Sequence, residues 1–320
     1  MNKHHRTLEL DRVLEMLAEQ TTCPAGRELA RQLTPNDNYR DAADALQRTA
    51  DINSLCARYG TPGLGGIRDC TGTLQRAKLG AHLSAGEILQ VAQVLRTVRS
   101  IKKWRGQGET PTAADDLFHL LAPVEGLEKD IFDAILSEEE LADSASPALA
   151  DLRRRIRRAQ LKVREQLDGI IRSPQYAKAL QEPIVTMRDG RFVVPVKIEC
   201  KNEVKGLVHD TSSSGATVFI EPMAVVDANN EIRLLQNEEQ LEIDRILQEF
   251  SERIGQVADA TRTSFEALLQ LDLLFAKSRL ADKMKATVPE LNEDGIIEFR
   301  KARHPLIQKD KVVPVDIRLG

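Results

Sequence analysis

The chain is poor in aromatic residues, with one Trp, three Tyr and eight Phe among 320 residues, or 4%. That scarcity argues against a fold that reads single strands by stacking successive bases on aromatic platforms. It suits long helices, which need Leu, Ala, Glu, Arg and Gln more than rings. No stretch approaches 18 consecutive apolar residues, so no membrane-spanning helix is expected. The opening MNKHHRTLELDRVL is charged and amphipathic, unlike an apolar signal region. Only four cysteines occur, Cys23, Cys56, Cys70 and Cys200, too scattered for a zinc site or a disulfide framework. His4, His5, His82 and His119 also lack metal-ligand spacing. A cytoplasmic protein with free thiols is expected. The glycine-rich TPGLGGIRD (61–69) has neither a GxGxxG pattern nor a Lys-Ser/Thr ending, and reads as a connector.

What is present is ample apolar material, 42% of residues, beside 29% charged residues, enough for a sizeable core and a solvated surface. The length points to two or three domains. The net charge of −4 hides an asymmetry. Residues 151–210 carry 14 Lys and Arg against 8 Asp and Glu, while the rest of the chain carries 31 against 41. A basic module of +6 on an acidic remainder of −10 fits a localised polyanion contact, or a solvated basic helix face.

Residues 1–146 read as short helices with clear punctuation. Leu10, Val13, Leu14 and Leu17 fall at helical spacing. Pro24 suits a first helical turn. A helix from about Asp41 to Tyr59 stops at Gly60, and Ser84-Ala-Gly-Glu87 is a capping box opening a helix that runs to about Trp104. Two shorter helices flank Pro123. From Pro147 to Ile171, Leu149, Leu152, Ile156, Ala159, Val163, Leu167 and Ile170 recur in steps of 3 and 4, a coiled-coil seam on a helix on the order of 35–40 Å long. A second long helix, with room for breaks, runs from Pro222 to about Lys285 with Ile243, Ile246, Phe250, Ile254, Val257, Thr261, Phe265 and Leu268 along its seam, and would reach roughly 90 Å if unbroken. The two should lie antiparallel.

Between them the period changes. IVTMR, Asp189-Gly190 and RFVVPVKIE form a hairpin signal, because Asp-Gly supplies the positive φ angles of a type I′ turn. KGLVHD and ATVFIE are two further strands around Ser212-Ser213-Ser214-Gly215. IIEFRKARHPLI and VVPVDIRLG read as the first strands of an α/β domain that the remaining residues cannot complete, so a C-terminal truncation is expected. The fold class is therefore mainly α with an inserted antiparallel β sheet (α+β). Its segments are a helical core (1–146), an outgoing helix (147–172), a sheet (173–221), a returning helix (222–285) and two opening strands (286–320).

The run RFVVPVKIECKNEVKGLVHDTSSSGATVFIEPMAVVDANNEIRLL resembles the clamp region of the MutS family, and specifically its MutS-two branch. TLELDRVLEMLAEQTTCPAGRELARQLTP resembles the N-terminus of that branch, and ARHPLIQKDKVVPVDIRLG the first strands of the family ATPase domain. The resemblance covers essentially the whole chain. It implies a helical core and lever, a clamp inserted between two long helices, and an ATPase beyond. It further implies a homodimeric protein that encircles double-stranded or branched DNA, uses ATP and Mg, suppresses homologous recombination, and carries a Smr nuclease domain. In some bacteria the branch splits collided ribosomes, so a clamp gripping the ribosome or rRNA is the alternative, as is a purely structural lever. The 320 residues hold no phosphate loop ending in Lys-Ser/Thr, so the chain itself is expected to have no cofactor, no ATPase and no nuclease activity.

The candidate nucleic-acid-binding residues fall in two groups. Arg153, Arg154, Arg155, Arg157 and Arg158 flank the outgoing seam, as phosphate contacts or as a solvated flank. Arg188 and Arg191 bracket the Asp-Gly turn, and Lys197, Lys201 and Lys205 follow. They read as phosphate contacts of an exposed tip or as charges that guard a sheet edge. No array suited to reading base edges is evident, so recognition without base-specific readout is expected. His209, Asp210 and Ser212–Ser214 invite a nucleophile reading, but turn chemistry accounts for them. His304 and Pro305 lie beside the nucleotide base only through the resemblance, and Trp104 at a helix end reads as packing or a cap.

Overall fold

The computed structural model describes residues 7–124, 126–308 and 310–320, so His4 and His5 lie outside the described residues. The helices are α1 (Leu10–Ala18), α2 (Pro24–Arg31), α3 (Tyr39–Tyr59), α4 (Thr71–Lys78), α5 (Ala85–Arg105), α6 (Asp115–His119), α7 (Leu127–Ala134) and α8 (Pro147–Ile171). Strands β1 (Thr186–Arg188), β2 (Arg191–Lys197), β3 (Gly206–Thr211) and β4 (Thr217–Pro222) follow. Then come α9 (Met223–Gln256), α10 (Ala258–Met284), β5 (Ile297–Ala302) and β6 (Val315–Leu319). The fold is mixed α+β. Two compact units divide it, Met1–Phe132 with Phe250–Gly320, and Asp133–Glu249. Among the described residues no helix is long and apolar enough to cross a membrane.

The first unit is helical, and α10 is its central element. Leu273, Ala276 and Leu280 meet Leu17 and Ala18 of α1 and Ala30 of α2. Phe275 is fully buried and meets Trp104 edge-on, with ring centroids 5.4 Å apart. Trp104 Nε1 in turn donates to the carbonyl of Gly60, which ends α3 at φ 76°. Trp104 is thus a packing and helix-end residue. Ser84 accepts from Glu87 N and the Glu87 carboxylate accepts from Ser84 N, so the capping box opens α5. The connector at 61–69 is pinned by the buried side chains of Leu64 and Ile67. Cys23, Cys56 and Cys70 are buried, Cys200 is half-buried, and all four thiols are free.

At the C-terminal end of this unit, β5 and β6 pair antiparallel with each other, Ile297 opposite Leu319 and Phe299 opposite Ile317. These are the two segments whose pattern reads as the start of an α/β domain.

The second unit holds α8, the four-stranded sheet and most of α9. The sheet is antiparallel throughout, in the order β1-β2-β4-β3. Asp189 and Gly190 take φ 48° and 73°, the handedness that a tight hairpin between twisted strands demands. Val194, Val196, Val218 and Ile220 turn to one side, where they pack on Ala159, Val163 and Leu167 of α8 and on Val225 and Ile232 of α9. Gly206 is irreplaceable in this sheet, since a Cβ there would overlap the Glu221 carbonyl oxygen of the neighbouring strand.

The seam of α8 matches its spacing, with Leu149, Leu152, Ile156, Ala159, Val163 and Leu167 all buried. Its partner on the returning helix differs from expectation. Leu152 and Ile156 pack on Leu235, and the upper seam meets Val225 and Ile232, all N-terminal to the residues expected to face α8. Arg153 reaches Glu239 and Ser146 reaches Glu242, so partners ascend α9 as α8 is descended and the pair is antiparallel. Phe250, Ile254, Thr261, Phe265 and Leu268 are buried instead in the helical unit, where α10 packs on α2, α3, α4 and α5. Heptad spacing marks which stripe is apolar without saying what covers it. The returning segment is two helices, with one of the breaks that the sequence reading allowed for. It breaks at Val257 (φ −108°, ψ 7°), two residues after Gly255. A Cβ on Gly255 would lie 2.6 Å from the carbonyl oxygen of Ala77, so glycine there permits the close approach of α4.

Ser146 caps α8 by accepting from Leu149 N and donates to Glu242, whose carboxyl the Arg245 guanidinium and this hydroxyl hold down at about 2. Ile156 is 7% exposed in the helix pair. Ile156→Asp is expected to destabilise the second unit by about 2–4 kcal/mol, the cost of burying an unpaired charge. Hydrogen exchange should accelerate along α8 and the first half of α9 and leave α10 slow. Unchanged protection of α8 would refute this packing.

Candidate nucleic-acid interface

Alternation along β4 sets the geometry of the sheet's second face. Val218 and Ile220 face the helices, so Phe219 faces away from them, while Glu221 at the end of β4 stays within reach of α9. Glu221 is fully buried, because three side chains converge on it. Arg191 Nη1 donates to both carboxylate oxygens (2.8 and 3.0 Å), His209 Nε2 donates to Oε2 (2.6 Å), and Asn229 Nδ2 donates to Oε1 (2.8 Å). Asn229 also brackets the backbone of Phe192, accepting from its N–H and donating to its carbonyl. Arg191 Nη2 continues to Asn230 Oδ1 at 2.7 Å. A charge buried in this way is stabilised by its ion pair and by full use of its lone pairs. His209 reaches Glu221 because the ladder shifts register between Val208 and Asp210, a bulge that re-aims one side chain.

Along the same face, Arg188 lies over the Phe219 ring, its Cζ 4.0 Å from the ring centroid, and its Nε sits 3.3 Å from Asp210 Oδ2. Lys197, opposite Thr217 at the far end of β2, shares this face by alternation from Pro195, the partner of Phe219.

The candidate residues therefore separate by what already holds them. Arg191 is committed to Glu221 and Asn230, and Arg153 to Glu239, Asp143 and the Leu141 carbonyl. Arg154 pairs with Asp151, Arg157 with Asp143 at 3.4 Å and Arg155 with Glu238 at 3.8 Å, all on exposed side chains. Arg158, Lys197, Lys201 and Lys205 make no ion pair among the described residues, and all but the half-buried Lys197 are exposed. Arg153 and Arg191 are thus framework side chains, and the four unpaired cations are the ones with charge to spare.

Ser212 performs turn chemistry. Its Oγ accepts from Thr217 N at 3.1 Å and its carbonyl accepts from Gly215 N, while His209 points to Glu221 instead. His304 is exposed, and its Nδ1 accepts from Leu306 N within an ordinary turn around Pro305. Among the described residues no group of three His, Cys, Asp or Glu is placed to hold a metal ion.

Sequence reasoning did not single out Phe219, Glu221, Asn229 or Asn230. The signal for Glu221 is present in TVFIEP. A carboxylate two residues after Phe219, within an apolar strand, needs a cation, and a nearby arginine must supply it.

No protein-family model matches the chain. It is 43% identical over 98% of its length to an endonuclease MutS2 of Acetivibrio thermocellus. It is 44% identical over 99% and 98% of its length to those of Ruminiclostridium cellulolyticum and Pelotomaculum thermopropionicum. In each case it spans 40% of the relative's length. Likeness of this degree along the whole described fold, through the clamp sheet and both long helices, makes the chain a member of the MutS2 branch of the MutS family.

Proposed function

We propose that this chain is the nucleic-acid-holding core and clamp of a MutS2 protein, gripping duplex or branched DNA through its backbone without reading base edges. In this reading the whole protein is a homodimer that suppresses homologous recombination, and the hydrolysis of ATP with Mg and the nuclease chemistry in its relatives' name belong to parts other than these residues. The observation that carries the reading is a set of cations, Arg158, Lys197, Lys201 and Lys205, that make no ion pair among the described residues and lie within a segment of net positive charge in an acidic chain. Unpaired ammonium groups gain from displacing the counterions of a phosphate backbone, whereas Arg153 and Arg191 would first have to leave a carboxylate.

The test is fluorescence anisotropy of the chain with blunt DNA duplex across a salt series. Each phosphate contact contributes about −0.9 to the slope of log K against log salt. Changing Arg158, Lys197, Lys201 and Lys205 together to Ala is expected to weaken binding about equally on all sequences and to flatten the slope by about 2–4 units. A variant that keeps both affinity and slope would exclude the clamp as the contact surface. Ribosomes in a parallel titration separate the alternative reading, in which the same cations hold rRNA and duplex DNA does not compete.

A further inference from the structure

We propose that Arg188 and Phe219 form a stacking subsite for one unpaired nucleobase, an inference that rests on the nucleic-acid reading above. The case begins with the donors of Arg188. A guanidinium carries five N–H groups around its edge and recognises phosphate by offering two of them in parallel. In this structure part of that edge, Nε and Nη1, is already engaged. Nε is 3.3 Å from Asp210 Oδ2, and Nη1 donates to the Met187 carbonyl at 2.8 Å and reaches Thr186 Oγ1 at 3.5 Å. One flat side is covered by the Phe219 ring. The side chain is nevertheless 37% exposed, so a ligand can reach the cation where Phe219 and Asp210 do not cover it.

A planar cation fixed at its edge and backed by a ring suits a flat π surface, and arginine planes are platforms on which splayed bases stack. A base inside a duplex has both faces covered by its neighbours, so only an unpaired base has a face to give. Asp210 sharpens the discrimination, because its charge offsets the pull of Arg188 on phosphate while leaving the plane free. Lys197 supplies the complementary contact. It lies on the same face two residues beyond Pro195, the partner of Phe219, about 7 Å along the strand, and carries no ion pair among the described residues. One stacked base beside one phosphate is a small site. It is consistent with a chain that has too few rings to line a track for a single strand. The partner class it selects is nucleic acid with a loop, bulge or branch, and the contact is tolerant of base identity.

The experiment uses the full chain and three probes. They are a blunt DNA duplex, the same duplex closed by a loop carrying 2-aminopurine, and the RNA counterpart of the looped probe. Binding is expected to quench the 2-aminopurine, and the looped probe should bind about 5- to 100-fold more tightly than the blunt one, the range that one base-stacking contact spans. Arg188→Lys keeps the charge and removes the plane, so it should abolish both the quench and the preference while leaving blunt-duplex affinity within about twofold. Phe219→Leu, checked by an unchanged thermal melt, should do the same. Asp210→Asn frees the guanidinium edge and should steepen the blunt-duplex salt slope by about one unit without losing the quench. Comparing the DNA and RNA loops identifies which polymer supplies the base. Loss of blunt and looped binding alike in Arg188→Lys would make Arg188 a phosphate contact and overturn the proposal. An equal affinity for blunt and looped probes would overturn it while leaving the nucleic-acid reading intact. No binding to any probe would remove both.

Discussion

Glu221→Ala is expected to cost the second unit about 3–5 kcal/mol, the range found when one partner of a buried ion pair is removed. The truncation strands more than Arg191. His209 Nε2 and Asn229 Nδ2 lose the same acceptor, and Asn229 is the side chain that clips β2 to α9 through both backbone groups of Phe192. The loss should therefore spread from the sheet into the start of α9. Hydrogen exchange is expected to accelerate in β2, β4 and the first turns of α9, with α10 and α3 unaffected. Glu221→Gln keeps the shape and one acceptor oxygen and should cost less than the alanine. Equal melting curves for wild type and Glu221→Ala would mean that the carboxylate is a passenger in the sheet and not its anchor.

The corresponding position in the helical unit is Asp272, which has no exposed surface in α10. Its carboxylate accepts from Thr22 N at 3.1 and 3.0 Å, from Thr22 Oγ1 at 2.8 Å and from Cys23 N at 3.3 Å, while Arg279 approaches at 3.5 Å. These are amides at the N-terminus of α2, where a negative charge also complements the helix dipole. The approach depends on Gly26, where a Cβ would sit 2.5 Å from Asp272 Oδ2. Asp272→Ala is expected to destabilise the helical unit by about 3–5 kcal/mol and to release the first turn of α2. Cys23 provides a second readout. Its Sγ accepts from Gly26 N and lies 3.4 Å from Asp272, and burial pushes its thiol up to about 11, so it should resist alkylation in the wild type. In Asp272→Ala its alkylation by iodoacetamide should accelerate together with exchange at Ala25 and Gly26. A thiol that stays inert while the melt is unchanged would show that α2 is held by its apolar contacts alone. The two substitutions report on different units, so their effects should add in the double variant.

The sequence by itself determined the elements that are governed by local chemistry. Asp189-Gly190 dictated a hairpin because few other pairs accept two positive φ angles in succession, and Ser84 with Glu87 dictated a helix start because each satisfies an otherwise orphaned amide of the other. The spacing from Leu149 to Leu167 likewise named the buried stripe of α8 correctly, since a period near 3.5 residues leaves only one face free of charge. Tertiary structure decided what covers each stripe. Leu235, Ile232 and Val225 meet α8, while Phe250 to Leu268 sink into the helical unit. The break at Val257 goes with the close approach of Ala77 to Gly255, which no local propensity announces. The same division runs through the candidate interface. A count of charges locates the basic segment, but charge is a property of composition, and availability is a property of neighbours. Glu221, 30 residues from Arg191 in the chain, and Glu239, 86 residues from Arg153, already engage two of the predicted cations in ion pairs. Asp210 and Phe219 hold a third, and of the predicted cations Arg158, Lys197, Lys201 and Lys205 make no ion pair among the described residues.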